Sequence, residues 1–209
     1  MSPSRAVVIT EASSSVALAT AARLAADGDL VLMGTRRTDV CERFAAQLRS
    51  DGAAAFAVHL DLADPLSIDR FVASAGYLIG TVDVLVSAAG LADGSWVGAQ
   101  HLAAQLIPPM IEQRRGDVVL ISPGLVGVST ATADRMLEVW AAGLDAEFVG
   151  TGVRASIIRS TGAAGPLPPG DVGCLIAAAI SSPEPERMHL RVVDVIAPVP
   201  AVSRSTPAR

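Results

Sequence analysis

Short, nearly continuous apolar runs alternate along this chain with longer stretches whose apolar residues recur at helical spacing. Residues 6–10, 30–34, 54–60, 82–87, 118–122, 153–159 and 190–196 read as largely apolar strands, the pattern of a parallel sheet covered on both faces. Between them, residues 14–27, 38–51, 65 to about 75, 96–115, 131–149 and 171–181 read as amphipathic helices. Gly28 and Gly52 follow the first two helices as C-caps, Thr38 or Asp39 suits the N-cap of the second, and Asp64 precedes Pro65 at the start of the third. Pro108 and Pro109 are expected to kink or shorten the fourth. Strands that alternate with helices predict a parallel sheet covered on both faces, and right-handed crossovers make it doubly wound. Without a repeat or an internal linker, this reads as one domain over residues 1–198, followed by a loose tail over 199–209. Ligands of such sheets bind beyond the carboxyl ends of the strands, here the residues after Thr10, Gly34, Leu60, Ser87 and Ser122.

Composition narrows the picture. A chain of 209 residues suits one core, and 51% hydrophobic with 18% charged residues excludes a disordered chain. Aromatics make up only 3%, so Ala, Val, Leu and Ile must fill the core. The net charge is −5, every basic residue is arginine, and the only adjacent basic pairs are Arg36-Arg37 and Arg114-Arg115. That pattern argues against nucleic-acid binding. No apolar stretch is long enough to span a membrane, and the amino terminus lacks a signal-peptide pattern. Cys41 and Cys174 have no ligand spacing and suit inert thiols in a reducing cytoplasm, the expected location.

Several fragments, in order, carry a resemblance. Val82-Asp83-Val84-Leu85-Val86-Ser87-Ala88-Ala89-Gly90 resembles a fourth-strand motif ending in Asn-Asn-Ala-Gly, and Leu60-Asp61-Leu62 resembles an adenine-contacting strand end. Gly34-Thr35-Arg36-Arg37, the stretch from Pro108 to Ser122, Leu144 to Glu147 and Gly152 to Ile158 continue it. Together they resemble the short-chain dehydrogenase/reductase family, whose Rossmann-type fold the chain is expected to share from Ala6 to Ile196.

The resemblance implies a nicotinamide coenzyme held by Thr10, Ser13, Ser14, Arg36, Asp61, Leu62, Ala89 and Gly90, with Arg36 favouring NADP(H) and no metal. The family's first turn, Thr-Gly-x-x-x-Gly-x-Gly, reads here Thr10-Glu11-Ala12-Ser13-Ser14-Ser15-Val16-Ala17, so Glu11, Ser15 and Ala17 replace all three glycines. Those glycines allow a tight turn, close approach of the pyrophosphate and close helix packing. A carboxylate at position 11 sets a negative charge near a dianionic ligand. The bland alternatives are that Arg36 and Arg37 form a solvated pair and that residues 61–64 simply start a helix.

In the family a tyrosine donates the proton, a lysine lowers its pKa, a serine holds the carbonyl and an asparagine anchors a water. This chain has no lysine and no asparagine, and its one tyrosine is Tyr77. Counting back from Leu144, Glu147 and Gly152 puts the tyrosine position at Thr130 and the lysine position at Asp134; the asparagine position falls at Ser95. Ser122 remains as the catalytic-serine candidate, with Pro123 as the competing occupant and a strand-end capping role as the bland reading. The segments that close over substrate are short, residues 91–95 and 162–170. Glu11, Asp61, Asp93, His101 and Asp134 show no metal-ligand spacing, while His59 reads as a core or edge residue and His189 as exposed.

Two main readings follow. The first is a degenerate member without hydride transfer that acts by binding a ligand or partner. The second is a divergent NADP(H)-dependent oxidoreductase with a non-standard proton donor. A small-molecule sensor is a third. Helices 96–115 and 131–149 resemble those that assemble family dimers and tetramers, so homo-oligomerisation through Ala99, Leu102, Ala103, Leu106, Leu137, Val139, Ala141 and Leu144 is expected, or pairing with an active paralogue. The competing role for these faces is covering the sheet.

Overall fold

The computed structural model describes residues 4–88, 95–122, 125, 131–160, 168–181 and 190–195. Seven strands form one sheet: β1 (Ala6–Ile9), β2 (Leu30–Thr35), β3 (Ala55–His59), β4 (Val84–Ser87), β5 (Gly116–Ile121), β6 (Val153–Ser160) and β7 (Leu190–Val195). Every pairing is parallel and the order is β3-β2-β1-β4-β5-β6-β7. Six helices are described: α1 (Ser15–Ala26), α2 (Thr38–Ser50), α3 (Pro65–Leu78), α4 (Ser95–Glu112), α5 (Ala131–Phe148) and α6 (Pro169–Ser181). The doubly wound α/β architecture expected from the periodicity is therefore present.

Two cores lie on the two faces, and the period-two alternation of the strands divides their side chains between them. Val7 and Ile9 of β1 pack with α1, α2 and α6, while Ala6 and Val8 face the side covered by α3, α4 and α5. Small residues let the helices approach closely. A Cβ on Gly173 of α6 would stand 3.1 Å from the α1 backbone at Ala19 and Thr20. A Cβ on Gly98 of α4 would stand 1.6 Å from the Leu62 carbonyl oxygen, so no larger residue fits there.

Several boundaries differ from the sequence expectation for local reasons. Arg37, not Thr38 or Asp39, is the N-cap of α2 and makes no side-chain capping bond. The Arg37 N–H is instead taken by Thr35 Oγ1, which turns the chain one residue early. Helix α3 runs on to Leu78, where the sequence suggested about Ala75, because Phe71 and Ala75 keep its inner face buried. Helix α4 passes through Pro108 and Pro109 to Glu112. Both prolines lie on its exposed face, where carbonyls left without an amide partner can bond water. Pro169 and Gly170, expected in the substrate-covering segment, belong to the first turn of α6. The tail lies outside the described residues.

The amino-terminal edge of the sheet is held by arginine–carboxylate pairs. Arg5 grips the buried Asp29 through Nε at 3.0 Å and Nη2 at 2.6 Å, and its Nη1 reaches the Ile180 carbonyl at the end of α6. The bond to Asp29 raises the Arg5 pKa, against the opposing effect of burial. Arg154 holds Asp117 with two bonds of 2.9 and 3.0 Å. Asp83 accepts the Ala6 N–H through Oδ2, while its Oδ1 lies 3.0 Å from Arg115 Nη2 without hydrogen-bond alignment. These pairs stabilise the edge opposite the candidate site.

Candidate functional site

The strand order reverses between β1 and β4, and their carboxyl ends are stitched together. The Thr10 N–H donates to the Val86 carbonyl at 3.0 Å, and the Ala88 N–H donates to Thr10 Oγ1 at 3.1 Å. Thr10, singled out in the sequence, is buried and bridges the two strands at the switch point.

The turn after β1 holds its shape without glycine. Glu11 sits at φ 49°, in the left-handed region that L-residues other than Asn and Asp seldom enter. The Ser14 N–H donates to the Glu11 carbonyl at 3.2 Å, and the Ala12 N–H donates to the Gly34 carbonyl at 3.1 Å, tying the turn to β2. Ser14 is the N-cap of α1, its Oγ accepting the Ala17 N–H at 3.2 Å. Ser13 is half-buried and Ser15 exposed, whereas Ala17 is fully buried, so the third lost glycine adds only a methyl that the core absorbs.

Around the neighbouring strand ends, Arg36 and Arg37 are both exposed. Asp61 Oδ1 accepts the Ala63 N–H, the Asp61 N–H donates to Ser67 Oγ, and Asp64 caps α3 by accepting the Leu66 N–H. Residues 61–64 form the turn that leads into α3 at Pro65, and the Leu62 carbonyl lies against Gly98. Ala89 and Gly90 lie outside the described residues.

Ser122 follows β5 and is buried. Its N–H donates to the Ile158 carbonyl at 2.9 Å, and its Oγ donates to Asp134 Oδ1 at 2.8 Å. Asp134 is in the first turn of α5, where the helix dipole favours a carboxylate. The sequence set these residues down separately, the serine as an isolated remnant and the aspartate as a substitute of the wrong charge. Their contact was open to inference, because a parallel sheet delivers the carboxyl end of β5 to the amino end of α5. Ser95, the asparagine position, is the buried first residue of α4. Thr130, Pro123, Asp93 and His189 lie outside the described residues, as do residues 91–94 and 162–167.

The remaining candidates lie apart from this pair. Tyr77 is 90% exposed near the end of α3. His59 ends the edge strand β3 and is exposed. His101 lies 3.1 Å from Gln105, whose amide bonds Asp69 of α3. Among the described residues no group of three or more His, Cys, Asp or Glu could hold a metal, and no helix is long and apolar enough to cross a membrane.

A second feature is a groove of about 540 Å³ on the outer side of α4 and α5, floored by Trp96 and Trp140 edge to face with centroids 5.1 Å apart. Ala99, Leu102, Ala103, Leu106, Leu137, Ala141 and Leu144 are all buried within the chain, and of the expected set only Val139, at 67%, is exposed. The sheet takes the apolar stripe, as the competing reading allowed. Three of the expected residues, Ala103, Val139 and Leu144, line the groove, together with Gln100, Ala104, Met136 and Gly143 of the neighbouring stripe and with Arg135 and Glu147 along α5.

Comparison with known proteins agrees with this architecture. Residues 5–133 match the short chain dehydrogenase family. A 1-deoxy-11-beta-hydroxypentalenate dehydrogenase from Streptomyces exfoliatus is 31% identical over 182 residues, covering 74% of this chain and 66% of that protein. Glycine betaine reductase from Emericella nidulans is 29% identical over 177 residues, 73% of this chain but 14% of that protein. The chain thus spans less than two-thirds of the length of these relatives. Among solved structures, a variant of actinorhodin polyketide ketoreductase with NADPH superposes with a TM-score of 0.77 at 21% identity, covering 92% of this chain and 96% of that one. A metagenomic short-chain oxidoreductase in complex with NADP gives 0.77 at 21%, covering 93% and 98%. With the matched residues spanning more than half its length, the chain belongs to the short-chain dehydrogenase/reductase family.

Proposed function

We propose that this chain uses the dehydrogenase scaffold as a binding body and does not perform tyrosine-driven hydride transfer. The observation that carries this reading is the bond from Ser122 Oγ to Asp134 Oδ1. A serine that holds a substrate carbonyl must offer its hydroxyl proton to the substrate, and here that proton faces a carboxylate. By the resemblance, position 134 is the one a lysine fills in the family, and with aspartate there an alkoxide forming nearby meets like charge. The absence of lysine and the surface position of Tyr77 support the same conclusion. The test is NADPH consumption across a panel of aldehydes and ketones. The expected rate equals that without protein; turnover that disappears in Ser122→Ala would overturn the reading.

Binding in this reading includes self-association through the α4/α5 groove. Arg135 and Glu147 stand twelve positions apart on α5, about 18 Å along its axis, with Val139 and Gly143 set symmetrically between them. Two antiparallel copies of α5 crossing near Ala141 would bring Arg135 of each against Glu147 of the other, while Gly143 permits close approach.

A second reading, the divergent NADP(H)-linked oxidoreductase with a non-standard proton donor, is favoured by the intact parallel strand order with its switch point between β1 and β4. The two solved relatives named above hold NADP or NADPH, and Arg36 supports NADP(H) over NAD(H) as the coenzyme class. Saturable NADP(H) binding by the unaltered protein, followed by Asp134-dependent turnover, would favour it over the first.

A further inference from the structure

We infer that the first turn keeps the backbone shape of a dinucleotide cradle while the Glu11 side chain bars the dinucleotide, so that the unaltered chain and the coenzyme its family implies do not fit. This goes beyond the proposed function, which concerns the proton chemistry at Ser122 and leaves coenzyme binding open.

The backbone half of the argument rests on the conformation at position 11. A φ of 49° is what a glycine adopts freely and a glutamate adopts only under constraint. The constraint is visible. Thr10, Ala12 and Ser14 each donate a backbone bond, to Val86, Gly34 and Glu11 respectively, at 3.0, 3.1 and 3.2 Å. The turn has therefore been kept although the residue suited to it has gone. It leads directly into α1, which carries no acidic residue in its first turn, at the point where the strand order reverses.

The side-chain half is electrostatic and steric. Glu11 is half-buried, and a carboxylate borne by this turn opposes a pyrophosphate brought to it. Like charges at contact distance near a protein surface lower affinity by a hundredfold or more. Ser15 adds less, because its side chain is exposed, and Ala17 adds nothing at the surface, because it is buried. Of the three replaced glycines, only position 11 combines strain, charge and closeness to the ligand path.

The experiment is calorimetric titration of the full chain with NADP⁺, NADPH and NAD⁺, in the unaltered protein, Glu11→Gln and Glu11→Gly, with thermal melting of each. The unaltered chain is expected to show no saturable binding up to millimolar coenzyme. Glu11→Gly is expected to bind NADP(H) at least a hundredfold more tightly and to melt at a higher temperature, since the left-handed strain is relieved. Glu11→Gln, which keeps the left-handed backbone but not the charge, is expected to gain binding as well. Micromolar binding by the unaltered chain overturns the inference, and so does a well-folded Glu11→Gly that still binds nothing. No gain in Glu11→Gln overturns charge as the cause. Coenzyme binding by Glu11→Gly without carbonyl reduction leaves the proposed function intact, so the two ideas fail separately.

Discussion

At Glu11 and Asp134 the backbone keeps its place in the fold while the side chain carries a carboxylate. At both, the sequence made the replacement plain, a carboxylate where the resemblance calls for glycine or lysine. It did not disclose the left-handed backbone of Glu11 or the bond that Asp134 accepts from Ser122, because both depend on contacts across the sheet. Gly98 was equally silent, since a glycine inside a helix pattern ordinarily signals only weakness. Its importance lies in the Leu62 carbonyl above it, and Gly98→Ala should destabilise the fold by about 3 kcal/mol in urea unfolding through that clash. An effect below roughly 1 kcal/mol would mean that α4 can shift away. Arg5→Ala should cost about as much, because it leaves the buried Asp29 carboxylate without its partner. Cys41 gives a pH signature. Burial pushes its thiol pKa above the ordinary value, and a weaker opposing effect comes from the bond with Thr35. The folded state therefore holds the thiol proton more tightly than the unfolded state. The resulting stability is complete below the unfolded pKa, about 8.5, and is lost as pH rises toward the folded value. No lysine titrates in that range to obscure it. Unfolding free energy measured from pH 8 upward should fall more steeply in the unaltered protein than in Cys41→Ala.

At the scale of elements, the helices and strands were legible to within a few residues because the central strands β1, β2, β4 and β5 are buried almost throughout and the helices bury one face. What periodicity could not supply was which stripe of α4 and α5 the sheet would claim. Both helices are apolar over a wide arc, and the small-residue stripe fits closest to the strands, which leaves the stripe through Met136, Val139 and Gly143 outside. The self-association argument belongs to this outer stripe. Sedimentation velocity should show a dimer for the unaltered chain and a shift toward monomer for Arg135→Glu, with recovery when Glu147→Arg is added. A monomer throughout would leave the groove to some other occupant. Helix α1 offers a simpler check of how its start is built. Ser14→Ala removes the bond to the Ala17 N–H and should cost about 1 kcal/mol, measured by thermal unfolding.

For the molecule as a whole, a parallel doubly wound sheet was implied by the regular alternation of strand and helix and right-handed crossovers, whereas the place of its reversal, between β1 and β4, came from the structure. The position of the site followed from that order. Its chemistry did not, since the same sheet edge serves whatever side chains the loops bring to it. Here the serine of that edge faces a carboxylate, and no lysine exists in the chain to replace it. The account therefore predicts a scaffold that has kept its shape and lost its proton donor. The most direct measurement is transfer of deuteride from NADPH labelled at the transferring position, with carbonyl products analysed by mass spectrometry at millimolar coenzyme. The account predicts no label in any product above the protein-free control. Label that appears with the unaltered protein and vanishes in both Ser122→Ala and Asp134→Asn would contradict it.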